Sequence, residues 1–282
     1  MHHRRPMPDV SDSERLLAEA AGVITRRDAE ILLAHAWNLT RSQLLARGGE
    51  PVPAAVIARF TDACARRAMG FPVAYLLGRR EFWSLDFEVN SSVLVPRPET
   101  ELLVQRALDL VGANAARCVD LGTGSGAIAI ALAHERRSWQ VTATEAAADA
   151  LAVARRNGER LVPGRIEWLQ GDWFEPLAGR RFEAIVSNPP YIAGDDPVLE
   201  EDGLRREPRA ALTPGGDGSA ALATLINGAP DHLVPGGWLA LEHGNTQGAW
   251  CRSALVARGF THVTSHRDLA GHERVTSGHW SN

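Results

Sequence analysis

The chain is 282 residues long, 45% hydrophobic and 23% charged, with a formal net charge of -4. That balance fits one substantial core with room for a smaller satellite domain, and it excludes fibrous and intrinsically disordered classes. All 30 basic residues are arginine, which excludes a Schiff-base lysine, a P-loop lysine and a lysine general base, while the slight acidity argues against coating nucleic acid by bulk charge. Cys64, Cys118 and Cys251 lie far apart, with neither metal-ligand nor disulfide-framework spacing, so no metal is expected and a reducing cytoplasm is the simpler setting. No apolar run approaches the length of a bilayer span, the basic start from Met1 to Pro6 has no apolar segment after it, and His2 and His3 are assigned no chemistry.

Residues 1–72 read as a small helical domain. Thr25 followed by Asp28, and Thr40 followed by Gln43, are capping signals ahead of apolar residues at helical spacing. A further helix is predicted from Pro53 to Ala68, with Val56, Ile57, Phe60 and Cys64 on one face and Gly70 after it. From residue 73 to 98 the pattern changes to aromatic and β-branched residues separated by polar ones, which predicts a β-hairpin linker with turns near Gly78 and Asp86-Phe87. Val95-Pro96-Arg97-Pro98 then holds the backbone extended ahead of a helix whose first turn carries Glu99 and Glu101.

Residues 99–282 alternate between strand and helix signatures. Strands are predicted at Cys118–Leu121, Gln140–Thr144, Ile166–Leu169, Ala184–Ser187 and Trp238–Glu242, with helices at Ala127–His134, Ala147–Asn157, Ala220–His232 and Thr246–Arg258. The alternation implies a mostly parallel sheet covered on both faces. Thr261–Ser265 and Glu273–Thr276 have no helix between them and predict an antiparallel end to that sheet.

The turn after the first of these strands reads Asp120-Leu-Gly122-Thr123-Gly124-Ser125-Gly126, where glycines admit close approach of a ligand. The spacing is not that of a dinucleotide fingerprint, and such strings also serve sharp bends. Glu145 ends the next strand about twenty residues on, where an acid can accept from both hydroxyls of a ribose. Asp172 and Trp173 follow the third strand, where they suit an adenine as a carboxylate partner and a flat neighbour, although Trp173 reads equally well as a core aromatic and Phe174 as packing.

Ser187-Asn188-Pro189-Pro190-Tyr191 closes the fourth strand with two prolines that cannot continue a ladder, at the sheet edge where such folds bind ligands. An amide nitrogen is a poor nucleophile, so a site that alkylates one must hold both its N–H groups while aiming it at a sulfonium carbon. Asn188 offers a side-chain carbonyl, Pro189 a main-chain carbonyl, and Tyr191 a ring to cover the planar group. A bare rigid turn would not call for these four residues together.

Asn188 to Tyr191 with the Asp120–Gly126 turn resembles the amino and amide methyltransferases that use S-adenosylmethionine, whose fold is a seven-stranded, mostly parallel Rossmann-like sheet with a reversed last strand. Within that class the chain is similar to the peptide chain release factor glutamine methyltransferase (HemK or PrmC) family. Arg80–Leu85, Leu94–Thr100, Asp172-Trp173, Glu207-Pro208 and Leu241–Gly244 extend the similarity over nearly all of residues 25–282. The resemblance implies an enzyme that methylates the glutamine of the Gly-Gly-Gln motif in class 1 release factors. It further implies that Gly122 to Gly126 line the methionine part of the cofactor, that Glu145 binds the ribose and Trp173 lies by the adenine. Asn188, Pro189, Pro190 and Tyr191 would grip the glutamine, with Arg97 in the substrate set, and the helical domain with the hairpin would contact the body of the release factor.

The family commonly has aspartate where this chain has Glu145, which displaces the carboxylate by one methylene. His243 is read as structural, and a monomer with no need of nucleic acid is the default. The rival readings are a ribosomal-protein glutamine methyltransferase, an adenine-N6 nucleic-acid methyltransferase, which would want a basic target-recognition region, and a nucleotide-binding scaffold with a decayed site.

Overall fold

The structure is a computed structural model that describes residues 12–282; Met1 to Pro6, with His2 and His3, lie outside the described residues. Contacts divide the chain into two compact units, Met1–Gly78 and Arg79–Asn282.

The first unit carries α1 (Ser13–Ala20), α2 (Arg26–Ala36), α3 (Arg41–Ala46), α4 (Ala54–Ala68) and α5 (Val73–Leu77). The two capping signals do what their spacing requires. Thr25 Oγ1 accepts from Asp28 N at 3.1 Å, and Thr40 with Gln43 closes a reciprocal capping box. Each helix turns one apolar face inward, and Leu17, Leu32, Leu33, Leu44 and Phe60 form a shared core. Pro53 caps α4, as its fixed φ favours.

The second unit opens with β1 (Arg79–Phe82) and β2 (Leu85–Glu88), an antiparallel hairpin. Its position differs from the one expected. Residues 73–77 are helical, Gly78 ends that helix in a left-handed conformation, and the hairpin turn falls on Trp83-Ser84 rather than at Gly78 or Asp86-Phe87. Trp83 and Ser84 both have positive φ, at 53° and 56°, the geometry that tight hairpins need but that glycine or asparagine usually supplies. Two contacts hold it: Trp83 N donates to Glu101 Oε1 and Trp83 Nε1 to Glu135 Oε1, each at 2.8 Å.

After a short 3-10 turn at Pro98–Thr100 the chain builds α6 (Glu101–Val111), β3 (Arg117–Leu121), α7 (Ala127–Glu135), β4 (Gln140–Glu145), α8 (Ala148–Leu161), β5 (Ile166–Gln170), β6 (Phe182–Ser187), α9 (Arg209–Leu212), α10 (Ala220–His232), β7 (Leu233–Glu242), α11 (Gly248–Arg258), β8 (Thr261–Arg267) and β9 (Glu273–Trp280). The seven-stranded sheet runs β5-β4-β3-β6-β7-β9-β8. All pairs through β7 are parallel, and β9 is antiparallel to both neighbours, the reversed ending that the missing helix between the last two strands predicted. The order reverses beside β3, so the gap above β3 and β6 is the switch point where a ligand fits. Among the described residues no helix is long and apolar enough to cross a membrane.

Candidate active site

The glycine turn sits on that switch point. Gly122 and Thr123 donate to the Thr144 carbonyl at 2.9 and 3.0 Å, which anchors the turn to β4. Gly122, Gly124 and Gly126 all have positive φ, and a Cβ on Gly122 would come within 2.9 Å of the Trp173 ring. Beneath the turn Asp120 is fully buried. Its Oδ2 accepts from the Thr123 hydroxyl and from Ala129 N, while Oδ1 has no partner. Burial pushes its pKa up to about 7, against the pull of those two donors.

The turn walls a cavity of about 320 Å³, within the range of small-molecule sites. Gly122, Thr123, Gly124, Ser125, Glu145, Asp172, Trp173, Asn188, Pro190 and Arg97 line it. Glu145 does more than end a strand. Its Oε2 accepts from Gly124 N at 2.9 Å and its Oε1 from Ala147 N at 3.0 Å, tying the glycine turn to the start of α8. Each oxygen keeps a second lone pair for a ligand hydroxyl. Trp173, at φ 43°, lines the cavity and also packs on the main core. Phe174 stacks on His232 at 4.8 Å, as packing.

Pro189 and Tyr191 fall instead on a smaller cavity of about 80 Å³, lined also by Leu94, Leu204, Ala211 and Leu212. Asn188 and Arg97 line both, so the wall between the two spaces is where a reaction across them would occur. Asn188 Nδ2 donates to Thr100 Oγ1 at 3.1 Å. Among the described residues none donates a hydrogen bond to Asn188 Oδ1 or to the Pro189 carbonyl. Tyr191 donates its hydroxyl to Glu242 Oε1 at 3.3 Å, and Gln247 Nε2 holds the Tyr191 carbonyl at 3.1 Å. Burial and the neighbouring Glu242 push the Tyr191 pKa up, which keeps the phenol neutral.

Four supporting residues escaped the sequence reading of the site. Glu207 accepts from Val95 N at 2.9 Å and pairs with Arg97 through its other oxygen, so the Arg97 guanidinium reaches the cavities already tethered. Asn157, fully buried, bridges the Ser125 carbonyl and both main-chain groups of Glu88. Thr100 and Glu242 lie under Asn188 and Tyr191. The motif-like runs Leu94–Thr100, Glu207-Pro208 and Leu241–Gly244 contained three of them without giving them a role, and nothing in the sequence signalled Asn157. His243, buried between the Gly244 carbonyl at 2.8 Å and Thr276 Oγ1 at 2.7 Å with its pKa lowered by burial, is structural.

A wider groove of about 830 Å³ lies at the opposite, N-terminal ends of β3 to β6. Its arginines are occupied: Arg117 with Glu183, Arg180 with Glu167, Arg165 with two main-chain carbonyls and Arg181 with the Leu233 carbonyl. Strand C-terminal ends are the ligand side of such sheets, so the cavity beside the glycine turn, with the small one next to it, is the site.

A seven-stranded sheet with this strand order and reversed ending, opening at β3 onto a glycine turn, is that of a class I S-adenosylmethionine-dependent methyltransferase. A methyltransferase from Pyrococcus furiosus shares the fold at a TM-score of 0.54 and 21% identity, over 79% of this chain and all of that one. The cofactor of the class is S-adenosylmethionine, and the residues present fit it: a cradle that no side chain fills, an acid at its rim and a flat aromatic beside it. Residues 10–78 match the PrmC N-terminal domain, and 98–218 the methyltransferase small domain. The release factor glutamine methyltransferase of Xylella fastidiosa (strain Temecula1) is 50% identical over 93% of this chain and 96% of its own length; that of Burkholderia pseudomallei is 51% identical over 89% and 90%. The chain belongs to the release factor glutamine methyltransferase family.

Proposed function

We propose that the protein transfers a methyl group from S-adenosylmethionine to the side-chain amide nitrogen of the glutamine in the Gly-Gly-Gln motif of class 1 peptide chain release factors, giving N5-methylglutamine and S-adenosylhomocysteine. The observation that carries this reading is a pair of carbonyls on consecutive residues that no described residue occupies: Asn188, which lines both the cofactor-sized cavity and the smaller one, and Pro189, which lines the smaller one. A primary amide has two N–H groups, and two fixed acceptors match them one for one.

When bound, the cofactor supplies a methyl group on a positively charged sulfur. Gly122 to Gly126, Glu145, Asp172 and Trp173 hold it in the larger cavity. Asn188 and Pro189 receive the two N–H groups, Pro190 keeps the backbone stiff, and the Tyr191 ring covers the flat face of the amide. Arg97, fixed by Glu207, closes the side of the smaller cavity. The gain comes mainly from orientation, since acceptors set in place lose no entropy as the nitrogen approaches carbon. As the N–C bond forms, the nitrogen's proton becomes acidic and departs to solvent with no side-chain base. The helical unit and the hairpin contact the body of the release factor, which the small cavity is too narrow to admit.

The test is mass spectrometry of a release factor incubated with the protein and isotope-labelled cofactor. A methyl on the Gly-Gly-Gln glutamine is expected; a labelled factor without one, or label carried instead to a ribosomal protein or naked nucleic acid, refutes the assignment.

A further inference from the structure

Pro189 and Pro190 have no N–H with which to tie themselves to the fold, so that task passes to the next residue. The peptide group after Tyr191 is held from both sides. Its carbonyl accepts from Gln247 Nε2 at 3.1 Å, and its N–H, that of Ile192, donates to the Leu212 carbonyl at 3.0 Å. The ring is held as well. Its hydroxyl donates to Glu242 Oε1 at 3.3 Å, and its Cδ2 passes Gly244 closely enough that a Cβ there would stand 3.6 Å away.

Gln247 does more than meet Tyr191. Its Oε1 accepts from Gly244 N at 2.9 Å, so one side chain joins the loop after β6 to the loop after β7. A main-chain N–H can only donate and a main-chain carbonyl can only accept, so these two partners settle which way round the Gln247 amide sits. We propose that Gln247 is a positioning residue for the methyl transfer: by clamping the Tyr191 carbonyl to Gly244 it sets the height and tilt of the Tyr191 ring over the substrate amide. The inference rests on the reading of Tyr191 as the cover of that amide.

Gln247 lines neither cavity, so it acts through Tyr191 and touches neither cofactor nor substrate. Its side chain is also not what starts α11. The helix takes no side-chain cap from Gln247, and Cys251 N donates to the Gln247 main-chain carbonyl, a bond that any residue there can make. What the side chain fixes is the face against which a flat amide lies. The amide nitrogen must meet the sulfonium carbon along one line, and a displacement of about 1 Å in a group that orients it can cost about 100-fold in rate.

Gln247→Glu isolates the contact. It keeps the size and the acceptor for Gly244 N, sets an acceptor against the Tyr191 carbonyl, and places its charge at a helix start, where an acid is tolerated. Its kcat on a release factor should fall by about 10- to 100-fold, with cofactor affinity within about threefold and melting temperature within about 4 °C of wild type. In a Tyr191→Ala background the same change should cost less than about threefold more, because the ring it positions is gone; a purely structural role gives equal losses in both backgrounds. The chain has two tyrosines. With ring 13C-labelled tyrosine, the Tyr191 signal should shift in Gln247→Glu while that of Tyr75, in the helical unit, stays in place.

The inference is overturned if Gln247→Glu keeps wild-type kcat, if its loss is undiminished in the Tyr191→Ala background, or if the Tyr191 signal does not move. Should Gln247→Glu not fold, Gln247→Met, which can bond neither partner, is judged on the same three readings. A wild-type protein that leaves release factors unmethylated sinks the substrate assignment instead, and the Tyr191 signal then decides whether Gln247 sets the ring.

Discussion

At the residue scale, three substitutions separate the parts of the site. Asn188→Ala removes an acceptor that matters most as the nitrogen begins to bond, so turnover should fall by about 30-fold or more, roughly 2 kcal/mol, with cofactor affinity little changed. Calorimetric cofactor binding beside a rate measurement checks this, and undiminished turnover would count against the acceptor role. Glu145→Ala should do the opposite. It frees Gly124 N and Ala147 N and takes away the acid at the cavity rim, so cofactor binding should weaken by about 10- to 100-fold. Gly122→Ala meets both a left-handed backbone and the Trp173 ring at 2.9 Å; it should lower stability by about 1–2 kcal/mol and weaken cofactor binding together, by thermal melting and titration. The residues in these three tests were legible in the sequence because each stands in a short local motif at a strand end. The contacts of Thr100, Glu207 and Asn157 were not, because their partners lie 88, 112 and 69 residues away, and no local pattern records such a meeting.

At the scale of elements, signals written within three or four residues were the reliable ones. The caps of α2 and α3 and the alternation of strand and helix after residue 115 fall where the spacing put them. The hairpin turn did not, because Trp83-Ser84 is held in an unfavourable conformation by Glu101 and Glu135, residues outside the hairpin. The same hairpin is bound to the glycine turn by a single side chain. Asn157 joins Glu88 at the end of β2 to the Ser125 carbonyl. Asn157→Ala leaves buried main-chain groups unpaired and should destabilise the second unit by about 2–4 kcal/mol. Hydrogen exchange should quicken at Glu88 and in the Gly122–Gly126 turn in step; a change confined to one of them would show that the bridge does not couple them.

For the whole molecule, the buried carboxyls shape stability against pH. Asp120 and Glu242 have pKa values raised to about 7 by burial. Their contribution is therefore fully present below the ordinary carboxylate pKa and is lost as pH rises through about 7. Glu88, Glu167, Glu183 and Glu273, each beside an arginine, have lowered values, and their contribution appears above the ordinary pKa and is lost as pH falls. Stability should peak at about pH 5, decline to about pH 7 and level off above it. Melting temperatures across that range check the shape, and Glu242→Gln should melt higher than wild type at pH 8.

The two prolines at the exit of β6 lack N–H groups, so the main chain there offers lone pairs and withholds protons. Glutamate differs from glutamine chiefly in bringing only lone pairs to that strip, so a release factor whose motif reads Gly-Gly-Glu should compete less well than the natural sequence, unless the Arg97 guanidinium on the same cavity outweighs the strip, and a competition assay reads which of the two filters the guest.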